Sequence, residues 1–278
     1  MATINSTLGS TTLTALRNLG SINLQTNRSA QKLATGQRIN RGADDPAGLI
    51  SSERLRAELA ALEAETRVLE RSDAVGTTAE GALNEVSSIL TDINGLQVQL
   101  NNDGFSDAEK AAIQQQIDSG LQAIDRISSN SSFNGQNLLD GSLTLEASGE
   151  TVNVDSTSSA NLGETDIGGQ TFRLSDIGSG GALDGDGANA QLVIQNAISE
   201  VATTRGSIGA FQRNTIRSSL NSTRVAIENV TAAESSIRDT NFAAETANQA
   251  RLQVLGRAAI QTLNVLNNNR RNVLDLLS

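Results

Sequence analysis

The stretch LRAELAALEAETRVLERSDAVGTTAEGALNEVSSILTDINGLQVQL, residues 55–100, places Leu55, Leu59, Leu62, Thr66 and Leu69, then Ala79, Leu83, Val86, Leu90, Ile93 and Leu100, on alternating spacings of three and four. That period puts one apolar seam along a single long helix that must pack against other helices. The remaining faces carry Glu53, Arg54, Arg56, Glu58, Glu63, Glu65, Arg67, Glu70 and Arg71, at spacings that let them pair with one another on a solvated or partner-facing surface. Upstream, Asp45 is an N-cap candidate and Pro46 fits a first helical position, so the helix is expected to start there. Downstream, Asn101, Asn102, Asp103 and Gly104 make a turn, and Ser106 with Glu109 forms a capping pair for a next helix whose inner stripe is Ile113, Ile117, Leu121, Ile124 and Ile127 or Ser128. So short a connection makes the two helices antiparallel neighbours.

The ends of the chain are also helical. Leu8, Leu13, Leu16, Leu19, Ile22, Leu24, Leu33 and Ile39 form a broad apolar face at the N-terminus, ahead of Gly36 and Gly42. Helical period returns through Leu192, Ile194, Ile198, Val201, Ile208, Phe211, Ile216, Leu220, Ile227 and Val230, then continues after Asp239 through Leu252, Leu255, Ala259, Leu263, Leu266, Val273 and Leu277. Both terminal stripes need cover, either from each other or from another copy. Between them, Asn134-Gly135 signals a tight turn, and residues 143–174 alternate weakly as short strands. GSGGALDGDG, residues 178–187, lacks the Lys-Ser/Thr of a phosphate loop and has Ala188 where a calcium loop needs oxygen, so a flexible surface loop is expected.

Composition fits extended helices better than a compact enzyme. The 278 residues include no Cys, His, Trp or Tyr and only five Phe, so the core is expected to be sealed by aliphatic side chains. Without His or Cys, the chain has neither the usual proton shuttle near neutral pH nor a thiolate nucleophile, and it lacks the best metal ligands. No catalytic residue, cofactor or metal site is expected. Net charge is −10, with +5 in residues 1–43, +2 in 241–278 and −17 between them. The basic ends carry no aromatic platform for stacking bases, so nucleic acid is not an expected partner. No apolar run is long enough to span a membrane, and the first 25 residues lack the pattern of a cleavable secretory signal.

Several motifs, in order, resemble the bacterial flagellins: Thr12-Leu-Thr-Ala-Leu-Arg-Asn-Leu19, Lys32-Leu-Ala-Thr-Gly-Gln-Arg-Ile-Asn40, Asp44-Asp-Pro-Ala-Gly-Leu49 and Ser52-Glu-Arg-Leu55. Ile124-Asp-Arg-Ile127, Phe133-Asn-Gly135, Ile237-Arg-Asp-Thr-Asn-Phe-Ala243 and Val273-Leu-Asp-Leu-Leu-Ser278 extend the resemblance, which spans about residues 1–140 and 188–278. It implies a mainly α fold, a long antiparallel helical coiled-coil rod with a small β-hairpin region and with the N- and C-terminal helices paired. It also implies three parts: residues 1–43 and 241–278 as the helices of an inner core, and 44–240 as a rod domain with a β-rich, variable segment at 130–187. No large outer domain is expected.

The function so implied is structural: a secreted subunit that polymerises into a flagellar filament for swimming. Alternatives are the hook-filament junction protein of the same superfamily and a secreted adhesin. Polymerisation contacts are expected from Leu13, Leu16, Leu19, Leu24, Leu252, Leu255, Leu263, Leu266, Val273 and Leu277. Implied partners are other copies of the chain, a flagellar export chaperone and the type III export apparatus, and filament-cap and hook-junction proteins. Flagellins sensed by the innate Toll-like receptor carry Leu-Gln-Arg-Val-Arg-Glu-Leu where this chain has Leu90-Thr-Asp-Ile-Asn-Gly-Leu96. Asp92 and Asn94 replace both arginines and Gln116 replaces a glutamate, so weak or no recognition is expected.

Overall fold

In the computed structural model, residues 2–102 and 104–275 are described. They form six α-helices and three two-stranded antiparallel hairpins, a mainly α fold as the periodicity predicts. The chain divides into two compact units: one takes both ends, up to Ala61 and from Ile227, and the other takes Leu62–Ala226. The division expected from the resemblance falls instead at 43/44 and 240/241. An ion pair between Arg238 and Glu53 draws the start of the second helix into the unit of the chain ends.

The unit of the chain ends is built on α1 (Ala2–Thr35) and α6 (Phe242–Asp275). They run antiparallel, since a Cβ on Gly36 would lie 3.6 Å from the Phe242 ring and one on Gly256 would lie 3.7 Å from Ile22. Helix α1 ends at Thr35, so Ile39 is not part of its apolar stripe as the spacing suggests. It lies in the connecting segment and is fully buried there. Helix α2 (Pro46–Leu100) then begins at the expected proline, and the Asp45 carboxylate accepts from the Gly48 N–H at 2.9 Å.

α2 is one uninterrupted helix of 55 residues, about 80 Å long at 1.5 Å per residue. Its seam is buried as predicted from Leu69 through Ala79, Leu83, Val86, Leu90 and Ile93, and half-buried from Leu55 to Thr66. α3 (Asp107–Asn130) follows the expected turn, with Glu109 accepting from the Ser106 N–H at 2.8 Å. This hydrogen bonding from the Ser106 hydroxyl and N–H holds the Glu109 carboxyl below its ordinary range. Ile113, Ile117, Leu121 and Ile124 are buried, and of the two next candidates Ser128 is the buried one, donating to the Leu139 carbonyl at 2.9 Å.

Three short hairpins then pack on the helices: β1–β2 (Ser132–Phe133, Gln136–Asn137), β3–β4 (Thr144–Ala147, Glu150–Asn153) and β5–β6 (Thr165–Ile167, Gln170–Phe172). The first turns through Asn134 (φ 51°) and Gly135 (φ 81°) between the paired Phe133 and Gln136. Positive φ at both turn positions matches the twist of the strands, which is why Asn-Gly reads as a hairpin. In β3, Leu145 and Ala147 point into the core and Thr144 and Glu146 point out.

The Gly-rich segment 178–187 is not a free loop. Asp118 on α3 accepts from the Ser179 N–H at 2.8 Å and its hydroxyl at 2.5 Å, the Leu183 N–H donates to the Asp176 carbonyl at 2.9 Å, and Leu183 is buried. Asp125, two helical turns along α3, holds Ser159 the same way at 2.8 and 2.9 Å.

α4 (Gly187–Phe211) runs antiparallel to α2, with Asn101 donating to the Gly187 carbonyl near one end and Gln212 reaching Asp73 and Thr77 towards the other. Leu192 is exposed, contrary to the predicted stripe, while Ile194 is buried as expected and Val193 and Ala197 join it in the core. A π-helical turn at Gln212–Ile216 then leads into α5 (Arg217–Arg238). The extra residue of that turn lets Gln212 point inward and donate to the Asp73 carbonyl at 3.0 Å and the Thr77 hydroxyl at 3.1 Å.

Candidate assembly surface

The α1–α6 pair covers only part of its own apolar surface. Leu252 and Leu263 are buried at 4% and 9% exposure, and Leu19 and Leu266 are half-buried. By contrast Leu13, Leu16 and Leu24 on α1 are 59%, 51% and 64% exposed, and Leu255 on α6 is 46% exposed. Two helices in contact can hide only one stripe each, and these helices carry apolar residues on a wider arc. Val273 lies within α6 but its side chain is outside the described residues, as is Leu277 altogether. The spacing also missed Val254, Ile260 and Val265, which are all exposed on α6. Their signal was present as apolar positions lying between those of the chosen three-and-four stripe.

The foot of this pair is clasped by segments far apart in sequence. The Thr240 N–H donates to the Gly36 carbonyl at 2.8 Å, and the Arg38 N–H donates to the Arg238 carbonyl at 2.6 Å, flanking a bridge between Gln37 and Asp239. The Arg38 guanidinium also donates to the Ile237 carbonyl, from Nη2 at 2.6 Å. Arg238 in turn pairs with Glu53 on α2 at 3.2 Å, and Arg38 with Asp45 at 3.5 Å. Ile39 is sealed beneath Gly48, where an added Cβ would come within 2.7 Å of the Ile39 Cδ1. Three separately quoted motifs, 32–40, 44–49 and 237–243, therefore meet at one place. Nothing in the linear spacing announces it, because a two-residue bridge across such a separation leaves no periodic trace.

A polar layer sits within the pair. Glu245 on α6 accepts from the Asn248 amide at 3.3 Å, and its carboxyl is held below the ordinary range chiefly by the neighbouring Ser29 hydroxyl, with Asn248 and the charge of Lys32 adding to it against partial burial. Ser29 itself is buried. In the other unit, Asp92 and Gln116 are exposed on α2 and α3, while Asn94 is half-buried with its carbonyl oxygen enclosed. Among the described residues, no cluster of three His, Cys, Asp or Glu is arranged to hold a metal ion, and no helix is long and apolar enough to cross a membrane.

These features define a helical protein whose paired chain ends present an uncovered apolar surface. The bacterial flagellin N-terminal helical region matches residues 6–144, and the bacterial flagellin C-terminal helical region matches residues 192–277. The chain belongs to the bacterial flagellin family. It is 32% identical to a flagellin of Bacillus subtilis over 95% of this chain and 97% of that one. It is 36% identical to a flagellin of Halalkalibacterium halodurans over 95% and 96% of the two chains. A flagellar filament 30.7 kDa core protein of Treponema maltophilum is 32% identical, again over 95% and 96%. Among solved structures, a Vibrio parahaemolyticus protein assigned as flagellar hook-associated shares the fold, with a TM-score of 0.58 and 15% identity over 70% of this chain and 100% of that one.

Proposed function

We propose that this chain is a structural subunit of an extracellular bacterial flagellar filament and that it polymerises by burying the outward stripe of α1 and α6 against other copies. The exposed leucines Leu13, Leu16 and Leu24 carry this reading, because a stable monomer has no use for so much uncovered aliphatic surface on two paired helices. Contacts of one stripe on a different surface of the next copy do not close on themselves, so they extend into a helical assembly. Residues 1–43 and 241–278 then form the inner core of the filament and 44–240 its outer part. The +5 charge of residues 1–43 opposes premature association of the ends and is offset by apolar burial on assembly. Export through the type III apparatus with a chaperone on the C-terminal helix belongs to the same reading, and so does a role without catalysis.

Seeded assembly at high protein concentration, followed by negative-stain electron microscopy, tests it. Long regular filaments that are lost on trimming residues 1–43 or 241–278 support the proposal. Short stubs that only join other filaments would replace it with the junction-protein reading. Weak Toll-like receptor recognition follows from Asp92, Asn94 and Gln116, where one charge is reversed and two are removed relative to the recognised pattern. Full activation of reporter cells by this chain would refute that part.

A further inference from the structure

Asparagine followed by glycine occurs at Asn94-Gly95 and at Asn134-Gly135, and the fold sets the two pairs in opposite circumstances. Such a pair is prone to intramolecular attack, because no side chain on the second residue hinders its backbone nitrogen. The nitrogen must first swing towards the asparagine side chain, so the reaction depends on how freely the joining peptide turns. Asn94-Gly95 lies inside α2, where the helical hydrogen-bond ladder fixes that peptide, and Asn94 is half-buried with its carbonyl oxygen enclosed.

Asn134-Gly135 is the whole of the loop between β1 and β2, and both residues are exposed. Among the described residues, the peptide that joins them takes part in no backbone hydrogen bond; the ladder closes at the flanking Phe133 and Gln136. Nothing lies within 4 Å of where a Cβ on Gly135 would stand. Positive φ at both positions, 51° and 81°, is the type I′ form of a two-residue loop, and turning the central peptide over gives the type II′ form with the same strands paired. That rotation carries ψ of the first residue from about +30° to about −120°, where the next nitrogen eclipses Cβ and comes within reach of Cγ. Glycine at the second position accepts either sign of φ. The II′ form suits Asn134 less well than I′ and is a minority state, which suffices for a slow reaction.

We infer that Asn134 is a deamidation site and that Asn94 is protected from the same reaction. The Gly135 nitrogen, losing its proton to hydroxide, bonds to the Asn134 Cγ; the bond from Cγ to Nδ2 breaks, and the nitrogen leaves as ammonia with a proton taken from water. Water then opens the resulting succinimide ring at either carbonyl, giving aspartate or an isoaspartate whose main chain runs through Cβ. The isoaspartate adds one methylene to a two-residue loop that has no slack for it. Phe133, which packs against the core and lines an apolar cavity with Val75 and Leu138, then loses its seat. Modification therefore weakens the unit Leu62–Ala226, independently of polymerisation.

Incubation of the unpolymerised full chain in weakly alkaline buffer, folded and in urea, followed by proteolysis and mass spectrometry of the two Asn-Gly peptides, tests the inference. In urea both pairs react alike. In the folded chain Asn134 reacts within about tenfold of its unfolded rate, whereas Asn94 is slowed about a hundredfold or more, because a loop opens at little cost and a core helix does not. The Asn134 product separates as two peptides of equal mass, aspartyl and isoaspartyl. Asn134→Gly keeps a two-residue turn, since Gly-Gly also adopts the type I′ form, and it removes the reactive amide. That variant therefore shows no mass gain at the turn and keeps the melting temperature that the unaltered chain loses on incubation. Equal folded rates at Asn134 and Asn94 would overturn the assignment of the site, and an aspartyl product alone would overturn the ring route. An equal fall in melting temperature for Asn134→Gly would overturn the link to Phe133.

Discussion

Replacing Leu24 should separate assembly from folding. In the single chain this side chain is 64% exposed, so its contribution to the fold is small. Complete burial of a leucine is worth roughly 1.5–3 kcal/mol, and closing the remaining two-thirds on assembly recovers about 1–2 kcal/mol per subunit. Leu24→Ala forfeits most of this and should raise the critical concentration for filament growth about tenfold, at ~1.4 kcal/mol per factor of ten. Leu24→Asp adds the desolvation of an unpaired carboxylate, a further cost of several kcal/mol, and should abolish growth at any practical concentration. Leu263→Ala provides the contrast. That side chain is 9% exposed against its own partner helix, so its loss of about 2–5 kcal/mol falls on the α1–α6 pair itself. Sedimentation after seeding measures the critical concentration, and circular dichroism of the unpolymerised chain reports helix content. Leu24→Asp filaments growing at the unaltered critical concentration would refute the assignment of the outward stripe to assembly.

Gly48→Ala should loosen the clasp by about 1–3 kcal/mol, because the new methyl group meets both the Asp45 carboxylate that caps α2 and the buried Ile39 side chain; limited proteolysis near residue 39 reports it, and unchanged protection would contradict the packing described. Asp125→Ala should cost about 1–3 kcal/mol by stranding two donors of the buried Ser159, and Asp118→Ala only about 0.5–1.5 kcal/mol, because Ser179 is exposed and its donors turn to water; the check is faster amide exchange at Ser159 in the first variant and at Ser179 in the second. Glu245 has a depressed carboxyl pKa in the folded chain, so its stabilising contribution is complete above the ordinary carboxylate range and is lost as pH falls through the lowered value. Acid unfolding of the α1–α6 pair should therefore begin at higher pH for a chain that lacks the effect, and Glu245→Gln should flatten the acid limb of the stability curve; a limb identical to that of the unaltered chain would show that the layer does not contribute.

The long helices were legible because Leu83, Val86, Leu90 and Ile93 repeat a spacing that only a helix can bury on one side. The first hairpin was legible because Asn134-Gly135 supplies the positive φ that a two-residue turn demands. Leu192 shows the limit of spacing alone: a run of apolar neighbours leaves the phase of the stripe undecided by one residue, and tertiary packing chose Val193. The terminal leucines show another limit. Periodicity marks Leu24 and Leu263 alike as apolar, yet only the geometry of the pair separates the covered side chain from the exposed one. The anchoring of the Gly-rich segment by Asp118 was invisible for a different reason, since an aspartate 61 residues upstream carries no local sign of the loop it will hold.

The clasp also bears on the order in which the chain folds. Arg38 and Ile237 lie 199 residues apart, so the contact between them closes a loop that contains the whole of Leu62–Ala226. Closing so long a loop costs entropy that local helical contacts do not, and such contacts form late. The unit Leu62–Ala226 can therefore acquire its core from its own residues first, and that core shortens the effective distance the two ends must still search. Helix α1 has neither Leu252 nor Leu263 to pack against until α6 has been made. The clasp, whose residues end at Thr240, can thus shut before α6 exists, and the pairing of α1 with α6 comes after it.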